Sequence, residues 1–580
     1  MSLATAISEF LVAQGVTHVF TVTGGYAQFF NQAFGAHPKL TCVYTQSEAG
    51  AAYAAIAYTR QSGRPSVVCT TAGCAATNAV TGVLDAFQDS VPVFFISGQV
   101  NVSEIKPGRR HYMGAWSPIT EIVKSITKFA SEPHSLDDAF IAVPHAWNAC
   151  VSGRPGPVWL SVPLDVQRAT TDDTIPLTPA TPTPQTALLP RDELQRAVAD
   201  ALRLAKRPVI MIGGGARHTG IRALVDRLGV PCIFTFMSLD IIPSDSPVYG
   251  GRVGVVGDRS GNLCMQNADV IVSLGCRWSG SVIGYNTATF CREGRIVAVD
   301  VDTDELAGLR ERDVKLPGDV RDLLDMPAVQ MDCLDPQWVP RTREWKAKWF
   351  RDFPANAGID SPYAVLRDLA ARCVDTTTFI HASGSTFNVA WHMLGLRGDQ
   401  RFICSSQGDM GFELPASIGA ALGGGDHVVA IMGDGSFHFN IQELETLQRV
   451  VVGRARVVLL VLDNDGLQSI ALSQRAVFGE TYGSDSVSGF SLPDLRGIAE
   501  AYSNVEFQEH VPNVSVFEGM RPGRVRVVRA RCSPQNRCPK LAVTYDENKR
   551  PTALPLEDMD PLLPWDEFTA NMFVAPLARS

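Results

Sequence analysis

Gly433-Asp434-Gly435-Ser436 and, one helix and one strand further on, Asp463-Asn464-Asp465-Gly466 set carboxylate and amide oxygens at two turns. Each turn closes a short apolar run, residues 427–432 and 456–462, rich in the β-branched residues of buried parallel strands. Between them Ile441, Leu444, Leu447 and Val451 recur at helical spacing, with Gln442, Glu445 and Gln448 interspersed. The unit reads as strand, helix, strand, with both oxygen clusters at carboxyl ends. A hard divalent cation suits that arrangement, because Mg²⁺ takes six oxygens at about 2.0–2.1 Å and commonly draws several from a phosphate. Asp434 and Asn464 offer side-chain oxygens, and Gly466 offers a backbone carbonyl. Gly433 and Gly435 let a diphosphate approach the backbone, and a helix starting near Phe437 would turn its free N–H groups toward it.

This pair of turns resembles the thiamine-diphosphate fingerprint, a GDG triplet followed by a distant asparagine. That cofactor needs a carboxyl against N1′ of its aminopyrimidine, so that the 4′-amino group can tautomerise and deprotonate C2 of the thiazolium. It must also be bent so that the amino group reaches C2. Glu48 is the candidate for the first service: it follows a strand end and opens an Ala-rich helix over 49–61. A helix N-terminal Glu that merely caps is the plainer alternative. Burial would raise its pKa and the helix terminus would lower it, and the sequence leaves that balance open. Met410, within Gly408-Asp409-Met410-Gly411-Phe412-Glu413-Leu414-Pro415, is a flexible apolar side chain suited to fill the concave side of a bent cofactor.

Over nearly its whole length the chain resembles the acetolactate-synthase-like branch of thiamine-diphosphate enzymes. The resemblance is carried by residues 47–55 (SEAGAAYAA), 76–82 (ATNAVTG), 89–100 (DSVPVFFISGQV), by Gly433 to Ser436 with Asn464, and by Met410. It implies a catalytic Glu48 and a Gln99 that reaches the reacting substrate. It further implies cofactor contacts from Gly24, Gly25, Thr71, Asn78, Gln407, Gly408, Met410, Gly433, Asp434, Gly435, Ser436, Asn464, Gly466 and Leu467, with Asp434, Asn464 and Gly466 on magnesium. In such enzymes the glutamate-bearing domain of one subunit faces the diphosphate domain of another, which implies a homodimer or homotetramer with shared sites.

Several positions depart from the family pattern. The usual His-Glu is Ser47-Glu48, the usual Gly-Pro-Gly is Gly73-Cys74-Ala75, and Asp463-Asn464 replaces an Asn pair, with three extra residues upstream. The tryptophan that anabolic acetolactate synthases carry after this motif is replaced by residues 466–474 (GLQSIALSQ). That segment, residues 489–495 and Leu556-Glu557-Asp558-Met559 resemble a sub-branch linked with polysaccharide or secondary-metabolite sugars, some of whose members transfer an acetyl unit from pyruvate to a keto-sugar.

The middle of the chain holds Gly213-Gly214-Gly215, Arg277, Asp300, Asp302, Asp319 and Val320 at predicted sheet-edge turns, where an α/β fold would bind a dinucleotide. They match family positions that hold FAD in a structural, non-redox role. A domain that kept its fold without the ligand is the alternative.

Composition fits these readings. The 580 residues exceed a single core, and a net charge of −9 without a long basic run speaks against nucleic acid and anionic membrane as partners. No apolar stretch is long enough to span a bilayer, the N-terminus lacks a secretory pattern, and 13 cysteines without CxxC pairs read as reduced thiols, so a cytoplasmic location is expected. The expected fold class is α/β, with three consecutive parallel-sheet domains: pyrimidine-binding (1–168), central (191–335) and diphosphate-binding (363–545). Pro-rich connections are expected at 169–190 and, partly helical, at 336–362. A tail at 546–580 either packs or flaps over the active site. The expected function is decarboxylation of pyruvate or another 2-oxoacid with transfer of the two-carbon unit to a carbonyl acceptor. Simple 2-oxoacid decarboxylation, or hydrolysis of a cyclic dione, on the same cofactor is the first alternative. A silent scaffold is the second, disfavoured because Glu48, Asp434 and Asn464 are all present.

Overall fold

Short runs of apolar, β-branched residues become three six-stranded sheets in which every neighbour is parallel. The computed structural model describes residues 1–108, 117–170, 188–352, 358, 360–533, 542–545 and 551–579. The first sheet comprises β1 (His18–Thr21), β2 (Thr41–Tyr44), β3 (Ser66–Thr70), β4 (Val93–Gln99), β5 (Phe129–Ser131) and β6 (Val158–Pro163), in the order β2-β1-β3-β4-β6-β5. β3 and β4 are buried along their whole length, as strands covered by helices on both faces must be.

The central sheet comprises β7 (Pro208–Ile212), β8 (Cys232–Phe234), β9 (Tyr249–Arg252), β10 (Val270–Leu274), β11 (Arg295–Asp300) and β12 (Val314–Pro317). Its order, β12-β11-β10-β7-β8-β9, is that of a doubly wound dinucleotide fold, with the switch point between β7 and β10. The third sheet comprises β13 (Thr378–His381), β14 (Arg401–Cys404), β15 (His427–Gly433), β16 (Arg456–Asp463), β17 (Val505–Glu509) and β18 (Val525–Arg531). Its order, β14-β13-β15-β16-β18-β17, repeats that of the first sheet strand for strand. The first and last domains therefore share one architecture at the level of strand order.

The two outer sheets share one core. The helix Glu48–Ser62 after β2 lies against the helix Glu413–Leu422 after β14, and Ala51, Ala54, Ala57, Ile418 and Ala420 pack in one cluster with both sheets. Small residues on both helices bring the backbones close. A Cβ on Gly419 would collide with the carbonyl of Ala54.

Most of the first connection, residues 171–187, lies outside the described residues. The second is partly helical, as expected: Trp338–Trp349 is a helix whose three tryptophans are buried beside Val209 and Met211 of the central sheet. The Trp338 indole donates to the Pro208 carbonyl at 2.9 Å, so this segment belongs to the central core. The described tail lies on the central domain as well. Glu557 accepts from Gln266 Nε2 (2.7 Å) and pairs with Arg292 (2.6 Å), while Arg259 donates to the carbonyls of Met559 and Pro561. Every described cysteine is free, and among the described residues no helix is long and apolar enough to cross a membrane.

Candidate active site

The expected residues gather at the carboxyl edges of the two outer sheets. In the first domain, Gly24 and Gly25 follow β1, Thr71 follows β3, and Gln99 ends β4. The Thr71 hydroxyl accepts the Tyr26 N–H at 3.1 Å, which joins the first two of these turns. Glu48 is the first residue of its helix and is buried. Ser47, standing where the family carries His, caps that helix by accepting the Gly50 N–H at 3.0 Å. The Glu48 carboxylate therefore does not serve as the cap. It accepts one hydrogen bond, from Asn78 Nδ2 at 3.1 Å. Cys74 is exposed at the start of the short helix Cys74–Asn78 that carries this asparagine. The Gln99 amide is held inward, donating to Glu132 (3.0 Å), to the Ser117 carbonyl (3.1 Å) and to Ser161 (3.4 Å).

In the third domain, Gln407, Gly408 and Met410 follow β14, Gly433 ends β15 with Asp434 to Ser436 after it, and Asn464 to Leu467 follow β16. The helix after Gly433 begins at Asp434, three residues earlier than expected, because the extended Gly433 acts as its N-cap and an acidic first residue suits a helix start. Asp434 is buried, and its carboxylate accepts the N–H groups of Gly435 (2.7 Å), Gly466 (2.9 Å) and Asn464 (3.1 Å). These three bonds lower its pKa but do not offset burial, which pushes it up to about 6. The fold alone undercompensates this carboxylate, and a cation beside it would restore the balance. Among the described residues no three His, Cys, Asp or Glu side chains form a metal cage. One carboxylate with an amide and a carbonyl suits an ion that keeps water and phosphate oxygens, as Mg²⁺ does.

A cavity of about 310 Å³ opens beside Asp434 and Gly466, lined also by His438, Asp463, Asp465, Phe490 and Arg529. A Cβ on Gly435 would meet the Leu467 side chain at 2.8 Å and the Met410 methyl at 3.4 Å, so Met410 and Leu467 flank the GDG turn on its side-chain-free face. Asn464 is buried, and its carbonyl accepts from Gln468 Nε2 at 2.8 Å.

Three carboxylates near these turns were not singled out by sequence. Asp409, next to the Met410 position, is raised to about 6, chiefly by burial, with the nearby Tyr53 hydroxyl of the Glu48 helix drawing it back down. Glu413 is fully buried beneath Ser436. Glu443 accepts the N–H groups of Gln46 (3.0 Å) and Ser47 (2.8 Å), so the third domain holds the residues just before Glu48. The legible signal for Glu413 was an ionisable residue opening an otherwise small and apolar helix, ELPASIGAAL. No such signal marks Glu443, whose partners lie far away in the chain.

In the central domain, Gly213 to Gly215 follow β7 and Gly275 to Arg277 follow β10, which brings them together at the switch point. Gly215 N–H donates to the Gly275 carbonyl at 3.1 Å, and a Cβ on Gly213 would strike that same carbonyl. Asp300 and Asp319 lie further along this edge. Burial raises Asp300 to about 6, Asp319 caps a turn and pairs with Arg321, and Val320 is buried. Arg277 and Asp302 face the first domain instead, pairing with Asp89 (3.3 Å) and Arg154 (2.8 Å).

Comparisons with known proteins agree with this division. Residues 1–120 match the model "Thiamine pyrophosphate enzyme, N-terminal TPP binding domain", residues 195–326 the central domain, and residues 382–520 the C-terminal TPP binding domain of the same family. The chain is similar to the acetolactate synthase isozyme 1 large subunit of Escherichia coli strain K12, 31% identical over 82% of this chain and 85% of the relative. It is 32% identical to the isozyme 2 large subunit of the same organism, over 85% and 88%. It is 30% identical to a probable acetolactate synthase large subunit of Methanococcus aeolicus, over 87% and 86%.

Proposed function

Because the chain belongs to the thiamine pyrophosphate enzymes, in their acetolactate-synthase-like branch, we propose that it is a carboligase that decarboxylates pyruvate or another 2-oxoacid and transfers the two-carbon unit to a carbonyl acceptor. The observation that carries the reading is the buried Asp434 carboxylate, gathered by three N–H groups beside a cavity. Asp434, Asn464 and the Gly466 carbonyl would hold Mg²⁺, and Gly433, Gly435 and Ser436 would receive the diphosphate. Met410 and Leu467, which flank Gly435, would pack against the cofactor. When bound, thiamine diphosphate supplies the electron sink that lets a 2-oxoacid lose CO₂ and its remnant act as an acyl-anion equivalent. Glu48 holds a proton at N1′ of the pyrimidine, and Asn78 fixes the orientation of its carboxylate. Burial of Glu48 keeps competing water away from that proton. By analogy with the family Gln99 would reach the reacting substrate, and the outer domains of two subunits would share each site.

For the central domain we infer FAD as a structural ligand, supported by the glycine turn at the switch point and by Asp300 and Asp319 along the same edge. A yellow colour and a flavin spectrum of the purified protein would support it, and colourless protein that takes up no added FAD would refute it. The reaction is tested by incubating the protein with pyruvate, thiamine diphosphate, Mg²⁺ and a panel of 2-oxoacid and keto-sugar acceptors, with mass spectrometry of the products. A ligated product is expected, and release of free acetaldehyde alone would assign simple decarboxylation instead.

A further inference from the structure

The equal strand orders of the outer sheets make Glu48 and Glu413 counterparts. Each is the first residue of the helix after the second strand of its sheet. Each is hydrogen-bonded from the short helix that follows the third strand, Glu48 by Asn78 at 3.1 Å and Glu413 by Ser436 at 2.7 Å. Their surroundings then diverge. Besides Ser436, Glu413 accepts the N–H of Ala382 (3.2 Å) and the N–H and hydroxyl of Ser383 (3.3 and 3.4 Å) through its other oxygen.

Ala382 and Ser383 form the turn after β13, and Ser436 belongs to the turn after β15, the neighbouring strand. Ser436 also accepts the Gly411 N–H at 2.8 Å, beside Met410. One fully buried carboxylate thus binds two loops directly and a third through Ser436, at the sheet edge that carries the GDG turn.

We propose that Glu413 is a positioning residue that ties the Ala382–Ser383 turn and the Gly411 loop to Ser436, and so sets the width of the diphosphate cradle. The proposal rests on the reading that the diphosphate lies at Ser436. A carboxylate is suited to this task because two oxygens can accept from several donors at once, and each donor left unpaired in the interior carries a penalty. Burial raises the Glu413 carboxyl to about 7, which moderates its repulsion of a neighbouring anion.

Glu413→Gln tests this. Its amide replaces one acceptor oxygen with a donor: turned to the 382–383 turn it strands those N–H groups, and turned to Ser436 it forces that hydroxyl, which already accepts from Gly411, to accept again instead of donating. Binding of thiamine diphosphate in the presence of Mg²⁺, followed by calorimetry or tryptophan fluorescence, should weaken about tenfold or more. The cofactor KM should rise in parallel, while kcat at saturating cofactor stays within about twofold, the sign of lost binding that is equal in ground and transition states. A cofactor affinity equal to that of the wild type would overturn the proposal, even with a lowered melting temperature, because that outcome marks a purely structural carboxylate. If Glu413→Gln does not fold, Glu413→Asp decides by the same two results, since it keeps the charge but is too short to span both turns. A wild-type protein that binds no thiamine diphosphate would overturn the cofactor reading itself, a result distinct from unchanged affinity in the variant.

Discussion

Glu443 accepts the backbone N–H of Ser47 at 2.8 Å, across the seam between the third and first domains of one chain. It is fully buried, and Gln46 (3.0 Å), the Ser47 hydroxyl (3.2 Å) and Thr446 (2.8 Å) complete its partners. The residue that precedes the catalytic candidate is therefore placed by a side chain nearly four hundred positions later in the sequence. Gly50 leaves room for this contact, because a Cβ there would collide with the Glu443 carboxylate.

Glu443→Ala should strand at least the Gln46 and Ser47 donors and destabilise the protein on the order of 2–4 kcal/mol. Hydrogen exchange should quicken first at residues 46–50, and turnover should fall along with it. Unchanged protection in that segment would mean that Glu443 does not hold it.

Glu48→Gln should lower turnover by about 10²–10⁴, the range typical of a positioned proton-transfer group. Calorimetric binding of thiamine diphosphate should stay close to that of the parent, since the diphosphate end is untouched. Undiminished turnover would remove Glu48 from the mechanism.

Chelation of divalent metal should release the cofactor, and added Mg²⁺ should restore binding. Asp434→Ala should abolish this response to metal. Cofactor that remains bound to the wild type after exhaustive chelation would argue against a magnesium bridge at Asp434.

Asp409 offers a test by pH. Burial raises its carboxyl to about 6, with Asp89 adding to the rise and the nearby Tyr53 hydroxyl opposing it. A folded value above the ordinary ~3.9 means that the fold favours the proton, so the stabilising contribution is full below the ordinary value and is lost as pH rises through about 6. Asp409→Asn should therefore melt above the parent at about pH 7, with the gap closing toward about pH 5. An equal gap at both values would show that this carboxyl does not titrate in that window.

Much of the outer architecture was legible because buried parallel strands write themselves as unbroken apolar runs. Residues 427–432 and 456–462 became β15 and β16, and the turns after them hold Asp434 and Asn464 as expected. Met410 was legible as a flexible side chain between turn residues, and it does flank Gly435. The remainder depended on distance. Ser47 as the cap beside Glu48 shows only in the backbone, and the Glu443 contact joins segments that no local period connects. The ion pairs of Arg277 with Asp89 and of Asp302 with Arg154 of the first domain likewise join segments that no local pattern connects.

The closeness of Gly419 to Ala54 has a mechanical consequence. Two helices that touch backbone to backbone, without side chains to act as bearings, do not glide past one another, because interiors packed at this density resist shear. The outer domains of a chain therefore travel as one block. Any breathing within the chain that admits substrate must come from the turns at the sheet edges or from the central domain.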